Sequence, residues 1–289
     1  MSKKFKTVVA LCLAGAAFTA AAVTIDFTAT YKGGISSCGT TYNIKGKETL
    51  SLTRKPVFIY MVGTTEPYDN VTAMAAIQGM ADRGYVAATV QYANTVFGHC
   101  DAIGGKAKCI FDPSSATSAV KAICSRVTAD CSKGIVVGGF SQGSILAILA
   151  NNYDKRVQAA WGMGAHNVYT AVFNDLGKCV APSTRSLPPS RLRIVNGEKD
   201  YFPGGTQEKN RTSSQIVTGY QCAGTSCLQP DGSGWDLVLN TEVQDGAADH
   251  CYSRADGCLS NTNDGGWATG TADWALTANL DWLKQFTKP

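Results

Sequence analysis

G-I-V-V-G-G-F-S-Q-G-S-I-L-A-I-L-A-N-N-Y, residues Gly134 to Tyr153, is the stretch on which the reading of the chain turns. A short apolar run rich in β-branched residues ends in two glycines. Gly139-Phe140-Ser141-Gln142-Gly143 follows, and then an apolar helical run with Ile145, Leu146, Ile148 and Leu149. The order is strand, sharp turn, helix, with Ser141 at the bend, which matches the G-x-S-x-G nucleophile elbow in letters and in context. Glycine is required on both sides because the turn is too tight to admit a Cβ. The turn holds a serine hydroxyl out at the carboxyl edge of a sheet. It also sets the Gln142 N–H at a helix N-terminus, where developing negative charge is favoured. The plainer alternative is a glycine-rich turn with an ordinary N-cap serine.

Outward from this stretch, strand and helix patterns alternate. Toward the N-terminus, Tyr85–Gln91 and the continuous apolar run Pro56–Val62 read as strands buried on both faces of a parallel sheet. A helix capped at Asp69 or Asn70 and closed by Gly84 lies between them, and a second helix starts at Ser114 or Ser115. A cysteine-bearing loop is expected between Gln91 and Ser114. Val23–Tyr31 and Thr41–Leu52 suggest an antiparallel pair. Toward the C-terminus, Val157–Trp161, Arg191–Val195 and Trp235–Val243 read as strands, Gln207–Thr218 as a helix, and Thr271–Phe286 as a closing amphipathic helix. The irregular stretch 162–190 is expected to be a loop or small lid. The pattern implies a mostly parallel sheet with helices on both faces, whose catalytic loops lie at the carboxyl ends of the strands.

Residues 1–22 have the form of a secretory signal peptide. Lys3, Lys4 and Lys6 precede an apolar run from Val8 to Phe18, and Ala20-Ala21-Ala22 offers a cleavage site. The remainder, 23–289, fits one domain. The full chain carries 26 Lys+Arg against 22 Asp+Glu; without those three lysines the balance is near +1. No basic run remains to draw nucleic acid or an anionic membrane surface, and no later apolar run is long enough for a bilayer. Ten cysteines follow the leader, an even number that in a secreted chain reads as disulfides. Short loops favour Cys100–Cys109, Cys124–Cys131, Cys222–Cys227 and Cys251–Cys258, leaving Cys38 with Cys179. With three histidines and no C-x-x-C, a metal site is not expected, nor is a cofactor.

A serine becomes a nucleophile when a base takes its proton. His250, in the loop after the last expected strand, has the position that the order serine, acid, histidine requires. The acid belongs after Arg191–Val195, where Asp200 is the choice and Glu198 the rival. Its task is to fix the imidazole tautomer and stabilise the imidazolium. Beside the Gln142 N–H, a second oxyanion donor is expected from Thr64 or Thr65, in the loop after Pro56–Val62. Tyr68, Met163, His166, Tyr201 and Phe202 are candidates for the wall of a substrate pocket. His99 reads as a loop residue.

On the elbow, the acid loop Gly197–Asp200 and His250 in that order, the chain resembles the α/β-hydrolase superfamily over essentially its whole length beyond the leader. The G-F-S-Q-G form is similar to that of carboxylesterases, acyl thioesterases and cutinases. The resemblance implies hydrolysis of an ester through an acyl-serine intermediate. The many cysteines and the Gly219–Trp235 insertion depart from small intracellular thioesterases and favour an extracellular ester. The expected protein is a monomer, extracellular or periplasmic, acting on a small-molecule or polymeric ester. Polyester hydrolysis, acyl transfer and peptide hydrolysis are alternatives on the same triad. A binding protein on an inactive scaffold is the alternative that involves no catalysis.

Overall fold

The computed structural model describes residues 23–168 and 176–288. The expected leader lies outside these residues, as does 169–175, the centre of the expected lid. The chain opens with β1 (Thr24–Gly33) and β2 (Thr40–Thr49), then β3 (Val57–Met61), α1 (Val71–Asp82), β4 (Val86–Val90), α2 (Cys100–Phe111) and α3 (Ala119–Cys124). β5 (Ile135–Phe140) leads through the elbow into α4 (Gln142–Tyr153). β6 (Val157–Met163), α5 (Leu176–Val180), β7 (Leu192–Gly197), α6 (Gln207–Thr218), β8 (Ser226–Leu228), β9 (Gly234–Val238), α7 (Gly265–Thr269) and α8 (Leu276–Lys284) complete it.

The nine strands form one sheet in the order β1-β2-β4-β3-β5-β6-β7-β9-β8. β1 and β2 pair antiparallel along their whole length, from Thr24 opposite Thr49 to Gly33 opposite Thr40. β4, β3, β5, β6, β7 and β9 run parallel, and β8 closes the far edge antiparallel. Every residue of β3, β4 and β5 is buried, as expected of parallel strands covered on both faces. α1 and α7 pack with α8, while α2 packs with α3, α4 and α5. The mostly parallel sheet and its antiparallel N-terminal pair agree with the sequence reading.

Three differences from that reading have physical causes. First, the expected loop after Gln91 contains α2. Gly104 and Gly105 make this segment read as a helix breaker. Both instead allow close approach: a Cβ on Gly105 would stand 1.8 Å from the Ile35 carbonyl oxygen, and one on Gly104 3.2 Å from the Tyr153 hydroxyl. Second, two of the expected disulfides are exchanged. Cys100 and Cys109 lie at opposite ends of α2, about 13 Å apart at 1.5 Å per residue, beyond the reach of a bridge. Cys109 instead joins Cys38, and Cys100 joins Cys179. The other three pairs, Cys124–Cys131, Cys222–Cys227 and Cys251–Cys258, are as expected. Third, part of the expected Gly219–Trp235 insertion is a strand, β8, paired to β9.

Candidate active site

β5 and α4 meet at Ser141, whose φ is +52°. The glycines on either side are there for space. A Cβ on Gly139 would stand 2.3 Å from the Gly143 carbonyl oxygen, and one on Gly143 2.2 Å from that of Met61. The strain at a non-glycine residue held in such a conformation is about 1–3 kcal/mol. Ile145, Leu146, Ile148 and Leu149 of α4 are all buried, each contributing about 1.5–3 kcal/mol, so the packing of the helix outweighs the strain at its start. Ser141 precedes the first residue of α4, yet its side chain caps no amide. The hydroxyl is therefore not held as an N-cap. Thr65 (φ +61°) is the other non-glycine residue with positive φ among those described, and it lines the same cleft as Ser141.

The acid loop leaves β7 at Gly197 and meets the backbone of the loop that carries His250. Lys199 N–H donates to the Ala248 carbonyl (2.9 Å), and a Cβ on Gly197 would collide with the Ala248 and Asp249 carbonyl oxygens. This stitching brings Asp200 against His250. The Nδ1–H of His250 donates to Asp200 Oδ2 at 2.6 Å. His166 Nε2 bonds the same oxygen at 2.8 Å, and its Nδ1 lies 3.3 Å from Ser213 Oγ. The second carboxylate oxygen, Oδ1, accepts the Phe202 N–H (3.1 Å). Burial acts to raise the Asp200 pKa, but the charges of His250 and His166 and their hydrogen bonds outweigh it, holding the carboxyl well below the usual range. The His250 ring is enclosed by Phe140 and Phe202, with centroids at 4.8 and 4.4 Å, and by the edge of Tyr201. Gly164 (φ +60°) leaves room for it, since a Cβ there would stand 2.7 Å from His250 Cε1. The remaining ring nitrogen, His250 Nε2, is buried and makes no hydrogen bond.

Ser141 and His250 line one cleft of about 490 Å³ with Thr64, Thr65, Thr95, Phe97, Phe140, Tyr201 and Phe202. The two oxyanion candidates differ. The Thr65 N–H is engaged with the Asn94 carbonyl (3.2 Å), whereas no such bond engages the Thr64 N–H among the described residues. Gln142 begins α4, where the first amides have no partner within the helix. Glu198 is engaged elsewhere, accepting from Gln207 Nε2 and Asn240 N–H, both at 2.8 Å. Tyr201 and Phe202 line the cleft as expected. Met163 and His166 are fully buried and Tyr68 packs against the core; none of the three is in the lining. His99 stands at the N-terminal cap position of α2.

His166, Asp200 and His250 are also the grouping among the described residues whose donor atoms lie close enough, within 4.8 Å of one another, to suggest a metal. Donors around tetrahedral zinc at about 2.0–2.1 Å stand about 3.3–3.4 Å apart. The two ring nitrogens instead sit 2.6 and 2.8 Å from one carboxylate oxygen. The three side chains form a hydrogen-bonded cluster centred on Asp200.

Three features escaped the sequence reading. Glu66 accepts the Gly63 N–H (2.7 Å) and forms a partly buried ion pair with Arg254. Arg254 in turn donates to the Cys258 carbonyl, so the loop after β3 is tied to the bridge beside His250. His166 supports Asp200 from behind. Lys106 of α2 reaches the back of the cleft and bonds Gln142. None has a sequence motif; each depends on a partner distant in the chain, Glu66 on Arg254 188 residues away, His166 on Asp200 34 away and Lys106 on Gln142 36 away.

The nine-stranded, mostly parallel sheet and the strand-turn-helix at Ser141 define the α/β-hydrolase fold. A solved structure agrees. One match is a cold-adapted esterase from an Arctic intertidal metagenomic library, with TM-score 0.56 and 11% identity, covering 92% of this chain and 95% of that one. Another is a putative dienelactone hydrolase from Klebsiella pneumoniae subsp. pneumoniae, with TM-score 0.45 and 14% identity over 82% of this chain and 91% of that one. No family model matches the chain, and no curated protein matches it. At 11% identity the likeness to the esterase is one of fold.

Proposed function

We propose that the chain is a secreted serine hydrolase that cleaves carboxylic esters through an acyl-serine intermediate. The observation that carries the reading is His250, bonded through Nδ1 to a buried carboxylate and lining, with an unbonded Nε2, the cleft onto which the elbow opens Ser141. Ser141 Oγ attacks the ester carbonyl while His250 Nε2 takes its proton. Asp200 holds the ring in the Nδ1–H tautomer and stabilises the imidazolium. The N–H groups of Gln142 and Thr64 receive the oxyanion. The C–O bond to the alcohol breaks as His250 returns the proton to the leaving oxygen. Water then attacks the acyl-serine by the same route, releasing the acid. Five disulfides suit an oxidising compartment, and no described helix is long and apolar enough to cross a membrane.

One observation favours a substrate that extends beyond the cleft. Tyr201 and Leu259 line it yet are 51% and 96% exposed, so the rim offers apolar contact outside the reacting centre. This supports a bulky or polymeric ester over a small acetate. Rates on short and long p-nitrophenyl esters and on a polyester film test the choice. A preference for acetate would refute the extended substrate, and absence of turnover on all three would refute ester hydrolysis.

A further inference from the structure

Lys106 lies in the middle of α2 and is buried to 1% exposure. Its ammonium has three hydrogens and meets three acceptors: the carbonyls of Val96 and Phe97 (the latter at 3.0 Å) and Gln142 Oε1 at 2.9 Å. All three are neutral. A buried charge held only by neutral acceptors is costly, and lysine is almost never fully buried unless paired. Among the described residues, the elements packed against α2 bring it no carboxylate. α3, α4 and α5 contain no acidic residue, and Asp26 of β1 pairs with Lys47. On α2 itself Asp101 is exposed, and Asp112 at its C-cap accepts from Ser114; the other ionisable groups of α2, its cap and the elements packed against it are His99, Lys108, Tyr31, Lys32, Lys121, Tyr153 and Lys178.

The contacts of this ammonium converge on the reacting centre. An ammonium only donates, so the Gln142 amide must turn its oxygen to Lys106 and its nitrogen the other way. Gln142 Nε2 accordingly donates to Thr64 Oγ1 at 3.0 Å. One chain of bonds therefore joins Lys106, Gln142 and Thr64. The carbonyls of Val96 and Phe97 add the loop whose Thr95 and Phe97 line the cleft. We infer that Lys106 is a positioning residue for the reaction: its buried ammonium clamps Gln142 and, through it, Thr64 in the orientation that aims both backbone N–H groups at one oxyanion. This rests on the hydrolase reading above.

The inference has a consequence in pH. Burial pushes the Lys106 pKa down to about 8. The neutral amine has two hydrogens for three acceptors, so one bond of the clamp becomes a repulsion between lone pairs. The rate should fall as pH rises through that value. The stability contribution has the opposite sign. Between about pH 8 and the unfolded lysine value of about 10.4 the unfolded chain binds more protons, so this group's contribution to stability rises with pH. Alkaline loss of rate without unfolding is therefore the signature.

The test measures kcat and KM for a short p-nitrophenyl ester from pH 6 to 10, circular dichroism at each pH, and fluorophosphonate labelling of Ser141, for wild type and for Lys106→Met and Lys106→Arg. Expected for wild type is a fall in kcat centred near pH 8 with the fold intact. Lys106→Met should lower kcat at pH 7 by about tenfold to a hundredfold, less than the loss of a whole oxyanion donor, with KM nearly unchanged and the limb near pH 8 abolished. Lys106→Arg should recover part of the rate and shift the limb to higher pH. A folded Lys106→Met enzyme with wild-type kcat and wild-type limb overturns the inference. If Lys106→Met does not fold, wild type alone decides, and a rate that does not fall between pH 7 and 9 overturns it. A wild-type enzyme that is not labelled at Ser141 overturns the hydrolase reading itself, a distinct result.

Discussion

Replacing Asp200 by Asn exchanges one oxygen for an NH₂ group and changes little else in shape. Asp200 accepts at Oδ2 from two imidazoles, at 2.6 and 2.8 Å, and at Oδ1 from the Phe202 N–H. An asparagine that keeps its oxygen on Phe202 turns its NH₂ toward both rings. His250 must then present a bare Nδ1 and carry its proton on Nε2, the nitrogen that should take the proton of Ser141. The flipped amide keeps the histidine tautomer but sets its NH₂ against the Phe202 N–H. Either arrangement removes the charge that stabilises the imidazolium. In a serine protease triad the same change costs about 10⁴ in kcat, equivalent to about 5 kcal/mol at 1.36 kcal/mol per decade. The expected result is a loss of that order for Asp200→Asn on a p-nitrophenyl ester, with the circular dichroism spectrum unchanged. The Asp200 carboxyl is held below its unfolded pKa, so its contribution to stability is present at neutral pH and lost on acidification. The variant's deficit in denaturation free energy should therefore shrink below about pH 4. Glu198→Gln, at a carboxylate that accepts from Gln207 Nε2 and the Asn240 N–H, should leave kcat within about threefold and cost about 1 kcal/mol of stability. A folded Asp200→Asn enzyme within tenfold of wild type, or a large loss in Glu198→Gln, would refute the assignment of the acid.

Gly164→Ala places a methyl 2.7 Å from His250 Cε1 at a position with φ +60°. It should lower kcat by about a hundredfold while costing only about 1–2 kcal/mol of stability, as read by steady-state kinetics and urea denaturation; equal kcat would refute the packing described for the imidazole. The Cys251→Ser/Cys258→Ser pair removes the bridge beside His250. Activity should decline at temperatures below the unfolding transition, and coincident loss of activity and fold would show that the bridge does not brace the loop locally. Tyr201→Ala should raise KM about threefold to tenfold for a long acyl or aromatic ester and leave KM for acetate unaffected, since the exposed half of its ring reaches past the cleft, while any change in kcat through its edge contact with His250 should be common to both substrates. Equal effects on KM for both substrates would refute the extended rim.

The central strand-turn-helix was legible because every constraint on it is local. The glycines at 139 and 143, the β-branched run before and the apolar run after all lie within twenty residues. The place of His250 in the chain followed from topology, because parallel strands deliver their loops to one edge. Lys106 was not legible, since its helix carries two glycines that serve contacts with Ile35 and Tyr153 from elsewhere in the chain. The same helix separates Cys100 from Cys109 and sends each to a distant partner. His166 looked like a pocket residue because it closely follows a strand of the catalytic edge. Its ring instead turns inward to Asp200, which only the packing of α6 and its Ser213 against that turn could reveal.

The most direct measurement is peptide mass spectrometry after treating the folded protein with a fluorophosphonate at neutral pH. The account predicts one adduct, on Ser141, forming at least a hundredfold more slowly in His250→Ala and absent after denaturation. A folded protein that carries no adduct, or carries it on another serine, would contradict it.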